Sequence, residues 1–196
     1  ILGAASKFFV SSIGIRGGLA DRDFIFLGIL SFRDPVRSGV AYAISRIESA
    51  GVSTVIVTGD HRGTAEAVAK ELNFDLAAGL VLDGNDLEML SERKLIAKLP
   101  FVRIFSRVTP EGKLRIVRAY KERGEVVAMT GDGVNDAPAL KEADIGVAVG
   151  SGTEVAKSAS DMVLLDNNFR TIVDAIKEGR VIFDNLRRVI VYLLSD

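Results

Sequence analysis

Short apolar runs alternate along the chain with longer segments in which apolar residues recur every three or four positions. Runs rich in β-branched residues predict strands, and the periodic segments predict amphipathic helices. The predicted strands cover residues 24–32, 52–57, 101–105, 126–129, 145–149 and 162–165. The predicted helices cover residues 36–50, 63–72, 110–123 and 139–143. This alternation favours an α/β fold built on a doubly wound, mostly parallel sheet.

Two segments depart from the alternation. Residues 79–98 are charged and only weakly periodic, which predicts a loop-rich insertion with a short helix. Residues 169–196 carry apolar side chains at helical spacing, with Arg187 and Arg188 directly before a wholly apolar run, Val189 to Leu194. We expect one long terminal helix there.

Composition excludes some classes of partner and compartment. The net charge is −1, so no overall positive field recruits nucleic acid. The chain has no cysteine, which excludes disulfides. No segment has the eighteen or so apolar residues needed to cross a bilayer. The sequence begins with Ile1 and shows neither an initiator methionine nor a basic leader. We therefore expect the chain to begin within a longer protein.

Polar side chains follow several predicted strands, and ligands of such sheets bind beyond the carboxyl ends of the strands. The strongest case is residues 129–141, MTGDGVNDAPALK, a glycine-rich strand-to-helix turn that carries Asp132, Asn135 and Asp136. Two carboxylates repel a phosphate unless a cation lies between them, and carboxylate oxygens suit Mg²⁺. A generic Gly-Asp-Gly would be explained equally well as an Asx-rich turn. The longer string favours a Mg²⁺ and phosphate site.

Two further segments supply groups for an anion. The Thr58 hydroxyl and the backbone N–H groups around Gly59 predict a phosphate cradle at a strand end. Lys113 lies in the first turns of a predicted helix, where a buried lysine needs an anionic partner such as a phosphoryl oxygen. A solvated lysine is the alternative. His61, the sole histidine, is expected to be a loop residue without a catalytic role.

Together these segments resemble the P-type cation-transporting ATPases, whose phosphorylation domain belongs to the haloacid-dehalogenase-like phosphotransferases. The similar segments, in the family's order, are DPVR at 34–37, TGD at 58–60, FSRVTPEGK at 105–113, residues 129–141 and residues 143–166. The resemblance covers nearly the whole chain and is nearest to the calcium and related cation pumps. It implies ATP hydrolysis through an aspartyl-phosphate, coupled to cation transport.

The resemblance also implies roles for individual residues. Asp132 would bind Mg²⁺ directly, with Asp136 as a close supporting carboxylate. Asn135 would bind the phosphoryl group or the nucleotide. Groups facing ATP or its phosphates would come from Thr58, Gly59, Asp60, Arg107 and Lys113, and the catalytic set would be Thr58, Lys113, Asp132, Asn135 and Asp136.

The same resemblance implies a division of the chain. Residues 1–33 would end a nucleotide-binding domain and carry a hinge strand, and residues 34–168 would form part of the phosphorylation domain. Residues 169–196 would be a stalk helix leading into a membrane span, which places the chain at the cytoplasmic face of a membrane. The transported cation would pass through absent membrane helices.

One family feature is missing, because the phosphorylated D-K-T-G-T string does not occur. Asp34 is a poor substitute, since Pro35 removes a backbone N–H that a phosphate cradle would need. Asp83 is better explained as part of an Asp-Gly-Asn turn. We therefore expect the chain to be cut at both ends and inactive alone.

In the family, the phosphoacceptor strand lies between the strands that end at Thr58 and Asp132. We expect a gap there, or a substitute strand for which residues 24–32 are a candidate, and a marginally stable chain with exposed strand edges. One alternative function is a free-standing soluble phosphatase of the same superfamily. Another is a non-catalytic module that binds Mg²⁺ or a nucleotide.

Overall fold

The computed structural model describes residues 2–6, 25–30, 35–76 and 79–194. The chain divides into two compact units, Ile1–Pro35 and Val36–Asp196. In the first unit, β1 (Leu2–Ser6) pairs antiparallel with β2 (Ile25–Leu30). The predicted strand over residues 24–32 is confirmed in its described part. As a substitute strand for the gap it is wrong, because among the described strands it pairs with β1 alone, in a separate two-stranded sheet. Asp34 lies outside the described residues.

The second unit contains two parallel sheets of three strands each. In the first sheet, β5 (Val102–Ser106) lies between β3 (Ile56–Val57) and β4 (Leu80–Asp83). In the second, β7 (Ile145–Val149) lies between β6 (Ala128–Gly131) and β8 (Met162–Leu164). The parallel α/β class is thereby confirmed. Within the described residues β3 and β6 are edge strands joined by no ladder, which agrees with the expected gap.

Helices follow the strands on both faces of these sheets. They are α1 (Val40–Ser49), α2 (Arg62–Glu71), α3 (Gly84–Met89), α4 (Glu92–Lys98), α5 (Pro110–Glu122), α6 (Ala137–Glu142), α7 (Glu154–Ala159) and α8 (Arg170–Leu194). Two 3₁₀ turns, Leu99–Phe101 and Val134–Asp136, precede β5 and α6. The predicted helices agree with α1, α2, α5 and α6 to within a few residues at each end.

The expectation of a loop-rich insertion over residues 79–98 is wrong, because this segment forms β4, α3 and α4. Asp83 is likewise not a simple turn residue. Its carboxylate accepts from the Asn85 N–H (3.3 Å) while the Asp86 carboxylate accepts from the Asp83 N–H (3.4 Å), a capping box at the start of α3. Buried Leu87 and Leu95 anchor the two short helices in the core.

The core is built around β5, which is buried on both faces. Ile104 packs with Ile44, Ala65 and Phe74, from α1, α2 and the segment that follows α2. Phe105 belongs to the cluster on the other face, formed with residues from β4, α3, α4 and α5. Helices therefore cover both faces of this sheet, as the doubly wound prediction requires.

The two parallel sheets are joined through α5 and α6, and we call this contact the helix joint. Its apolar part is Val117 packed against Ala139 and Ala143. Its charged part includes ion pairs from α5 to the α6 region: Lys113–Asp136 (2.5 Å), Arg118–Glu142 (3.1 Å) and Lys121–Asp144 (3.6 Å). Since α5 follows β5 and α6 follows β6, the joint fixes one sheet against the other.

The terminal helix is confirmed as α8, which packs on α1 near its beginning. Val173 is buried with Ala43 and Ile47, and Ile172 and Ile176 pack against the same cluster. From Val181 onward the apolar side chains of α8 are exposed. Among the described residues, no helix has both the length and the apolar composition needed to span a membrane.

Candidate functional site

Thr58 lies directly after β3, at the carboxyl edge of the first parallel sheet. Its N–H donates to the Phe105 carbonyl (2.9 Å), and its own carbonyl accepts from the Val108 N–H (3.0 Å). The Thr58 hydroxyl oxygen accepts from the Asp60 N–H (3.0 Å). A hydroxyl that accepts a hydrogen bond still has its proton to donate. The turn around Gly59 therefore presents Thr58 as a donor.

Arg107 lies beside this turn in an unusual backbone conformation. Its φ is +53°, a left-handed value that is uncommon for a residue with a side chain. The conformation lets its N–H donate to the Asp60 carbonyl (2.9 Å). The Arg107 carbonyl is so close to Gly84 that a Cβ there would lie 2.2 Å from the oxygen. Arg107 and Asp60 are thus held together, and both are exposed.

Asp136 is the centre of the second group of predicted site residues. It is 7% exposed, and its Oδ1 lies 2.5 Å from Lys113 Nζ. Its Oδ2 accepts from the N–H groups of Gly133 (3.2 Å) and Asp132 (3.4 Å). A Cβ on Gly131 would lie 2.5 Å from Asp136 Cβ, so only glycine leaves room for this packing. The anionic partner expected for Lys113 is, in this structure, a carboxylate.

Asp132 contrasts with Asp136, because its side chain is exposed. In the described part of the chain its carboxylate has no hydrogen-bond or ion-pair partner. Its backbone is fixed on both sides, by Asp136 and by the Thr153 N–H, which donates to the Asp132 carbonyl (2.8 Å). Asn135 is exposed in the same loop. One carboxylate of the pair is therefore fully engaged and the other is free.

Direct contacts bring the predicted residues together in two groups. Thr58, Asp60 and Arg107 form one group, and Lys113, Asp132 and Asp136 form the other. The start of α5 connects them, since Val108, bonded to Thr58, precedes the helix cap Thr109, whose carbonyl accepts from the Lys113 N–H (3.0 Å). Both groups lie beyond the carboxyl ends of strands.

The carboxylate oxygens of this loop suit a magnesium ion whose other ligands come from a phosphate and from water. Among the described residues, no group of three or more His, Cys, Asp or Glu side chains could hold a metal unaided. Mg²⁺ in phosphate sites takes only one or two carboxylates, and water and phosphate oxygens complete its shell. The free Asp132 carboxylate fits that requirement directly. Asp136, bound to Lys113, fits as a supporting group.

Sequence reasoning missed two features of the site. The run Gly150-Ser151-Gly152-Thr153 packs against Asp132, and its two glycines between a strand and a helix were an available signal. His61 is the N-cap of α2, where its Nδ1 accepts from the Gly63 N–H (3.1 Å). The expectation that His61 is only a loop residue is therefore too simple.

The fold and the site together define an α/β protein with a glycine-rich, two-aspartate turn beside a lysine at the carboxyl edge of its parallel strands. The model of the haloacid dehalogenase-like hydrolases matches residues 11–144 of this chain. The chain belongs to that family.

Among curated proteins, the chain is similar to cation-transporting ATPases. The chain is 52% identical over 177 residues to the calcium-transporting ATPase of Bacillus subtilis (strain 168), covering 90% of this chain and 20% of the relative. It is 48% identical over 177 residues to calcium-transporting ATPase 1 of Saccharomyces cerevisiae, covering 89% of this chain and 19% of the relative. The chain therefore spans about a fifth of the length of these relatives.

Solved structures agree with this likeness. A zinc-transporting PIB-type ATPase in the E2.Pi state matches with a TM-score of 0.66 and 33% identity, over 83% of this chain and 22% of that chain. The catalytic domain of a CPx-ATPase matches with a TM-score of 0.55 and 28% identity, over 79% of this chain and 48% of that chain.

Proposed function

We propose that this chain is the Mg²⁺- and phosphate-binding part of the phosphorylation domain of a P-type cation pump, for calcium or a related cation. The parent reaction is ATP hydrolysis through an aspartyl-phosphate. The observation that carries the proposal is that one aspartate of the loop is paired and the other is free. Asp136 is held by Lys113 and two backbone N–H groups, while Asp132 is exposed and free.

The charge of Lys113 explains why the two aspartates have different roles. Lys113 balances Asp136, so in the glycine-rich loop a metal and a phosphate meet the single unpaired carboxylate of Asp132. Bound Mg²⁺ would offset phosphate charge and polarise a phosphoryl oxygen. Thr58 has a hydroxyl proton to donate to the phosphate. Lys113 lies beside Asp136 in α5, the helix whose start connects the two groups of residues. Such preorganised donors stabilise charge that develops during transfer.

ATP and the membrane are the partners that this proposal implies. Gly59, Asp60, Arg107 and Asn135 are exposed beyond the carboxyl ends of strands in the two sheets and are assigned to the nucleotide and its phosphates. We assign α8 to the stalk that leads to a membrane span, so that the chain works at the cytoplasmic face. The division at residues 1–33, 34–168 and 169–196 belongs to the same proposal.

The phosphoacceptor aspartate belongs to a segment outside this chain in our proposal. We do not assign Asp83 as the nucleophile, because its carboxylate has a structural role and accepts from the Asn85 N–H (3.3 Å) and the Ser106 hydroxyl (3.4 Å). Its function is to cap α3. The chain alone is therefore not expected to hydrolyse ATP.

The test compares Asp132→Asn with Asp60→Asn in the 196-residue chain. Isothermal titration with MgCl₂, with and without inorganic phosphate, should show Mg²⁺ binding weakened by Asp132→Asn and nearly unchanged by Asp60→Asn. Phosphate should bind only when Mg²⁺ is present. Circular dichroism confirms that both variants keep their helices.

Two outcomes would contradict the proposal. Equal and negligible effects of the two substitutions would remove Asp132 from the metal site. Mg²⁺-dependent turnover of a small phosphate ester by the unmodified chain would instead indicate a soluble phosphatase of the same family.

A further inference from the structure

The backbone of Asp132 is fixed from two directions. On one side its N–H donates to Asp136 Oδ2 (3.4 Å). On the other side its carbonyl accepts from the Thr153 N–H at 2.8 Å, the shorter of the two bonds. The free carboxylate therefore projects from a residue whose two peptide groups are both held, and the stronger restraint comes from the loop after β7.

That loop approaches Asp132 as closely as its residues allow. A Cβ built on Gly152 would lie 3.0 Å from the Asp132 carbonyl oxygen and 3.1 Å from Asp132 Cα. Few real side chains show contacts this short, so a side chain at position 152 forces Asp132 or the loop to move. Glycine at this position permits the Thr153 hydrogen bond.

The loop is itself anchored on its far side. The Ser151 N–H donates to Asn167 Oδ1 (2.8 Å), and the Gly150 N–H donates to the Leu164 carbonyl (2.8 Å). Thr153 is the N-cap of α7, where its hydroxyl accepts from the Ala156 N–H (3.3 Å). Anchors of this kind make the loop a rigid support.

From this geometry we propose that Gly152 and Thr153 are positioning residues that set the place of Asp132 for Mg²⁺ binding. The inference rests on the proposed function, since it assumes that Asp132 binds the metal. Partners that orient a metal ligand change metal affinity about 10-fold to 100-fold when they are lost. The loop should therefore control Mg²⁺ affinity without touching the ion.

The first test uses two glycines of the same loop. Gly152→Ala crowds Asp132 and the Val149 carbonyl, whereas Gly150→Ala crowds the Leu164 and Leu165 carbonyls, each 2.9 Å from the added Cβ. In titrations of the 196-residue chain, Gly152→Ala should weaken Mg²⁺ binding about 10-fold or more. Gly150→Ala disturbs only the far anchor of the loop, so it should weaken Mg²⁺ binding less than Gly152→Ala does, although its contacts are the shorter ones. Equal losses of affinity would show a general structural effect and overturn the proposal.

The second test removes the hydrogen bond itself. Thr153 has φ −66° and ψ 152°, which proline can adopt, so Thr153→Pro deletes the N–H and puts a ring carbon against the Asp132 carbonyl. Thr153→Ala keeps the N–H and loses only the cap of α7. Mg²⁺ binding that is weaker in Thr153→Pro than in Thr153→Ala supports the proposal. The same affinity in both variants overturns it.

A readout without metal separates this inference from the proposed function. The amide NMR signals of Asp132 and Gly133 should shift most in Gly152→Ala and in Thr153→Pro, and less in Gly150→Ala and Thr153→Ala, which disturb only the far anchors of the loop. If Mg²⁺ does not bind at all, the proposed function fails while these shifts still show whether the loop positions Asp132. Unmoved signals in all four variants would overturn the positioning role.

Discussion

The buried pair of Lys113 and Asp136 makes a sharp prediction about stability. Their side chains are 14% and 10% exposed, and the two charged atoms are 2.5 Å apart. Lys113→Met keeps most of the side-chain length and removes the charge. Asp136 would then keep only its two backbone N–H donors, at 3.2 and 3.4 Å, as compensation for a buried negative charge.

The expected loss in the free energy of unfolding of Lys113→Met is large for a single substitution. Breaking a buried ion pair by removing one partner costs about 3–5 kcal/mol, while a domain has about 5–15 kcal/mol in all. For a chain of this size each kcal/mol shifts Tm by about 2–4 °C, so the drop should be roughly 6–20 °C. The exposed pair Lys177–Asp174 is the matched control, with side chains 59% and 70% exposed. Lys177→Met should cost less than about 1 kcal/mol.

Urea unfolding of the 196-residue chain, followed by circular dichroism, measures both losses. The single variant Asp136→Asn and the double variant Lys113→Met with Asp136→Asn complete the cycle. Because the double variant leaves no stranded charge, it should be more stable than Lys113→Met alone. The reasoning is refuted if Lys113→Met costs no more than Lys177→Met, or if the double variant loses the sum of the two single effects.

Two further predictions concern Tyr120 and Gly84. Burial raises the pKa of Tyr120 to about 12, against the opposing charges of Arg103 and Arg123, so its stabilisation is complete below pH 10 and is lost as pH rises towards 12. The difference in phenolate absorbance between the chain and its Tyr120→Phe variant isolates this titration, and a midpoint at the ordinary value near 10 would contradict the prediction. Gly84→Ala places a Cβ 2.2 Å from the Arg107 carbonyl and should cost about 1–3 kcal/mol. Gly179→Ala meets nothing within 4 Å and should be neutral or stabilising, so equal unfolding midpoints would exclude the predicted clash.

The sequence predicts best where one strong pattern dominates. The apolar run at 145–149 is β7 without change, because its last four residues are buried. The run at 52–57 yields only Ile56–Val57, since β3 finds a partner in β5 alone among the described strands. Strand length depends on a neighbour that the run itself does not specify.

Short helices and ion pairs between distant residues are harder to predict from the sequence. In α3 and α4, a single buried leucine in each is surrounded by charged residues, so the apolar period is too weak to recognise. The sequence identifies Lys113 and Asp136 separately, but not the ion pair between them. Twenty-three positions separate them, and only the packing of α5 on α6 brings them together.

The helix joint gives the molecule an unusual source of cooperativity. In the described residues, side-chain contacts rather than a strand ladder couple the two parallel sheets, so each sheet with its own core is a potential unfolding unit. Two of the charged links, Arg118–Glu142 and Lys121–Asp144, involve partly exposed side chains whose attraction is screened by salt. Salt therefore weakens only this exposed part of the coupling, while the buried Lys113–Asp136 pair and the packing of Val117 against Ala139 and Ala143 keep the two sheets unfolding as one body.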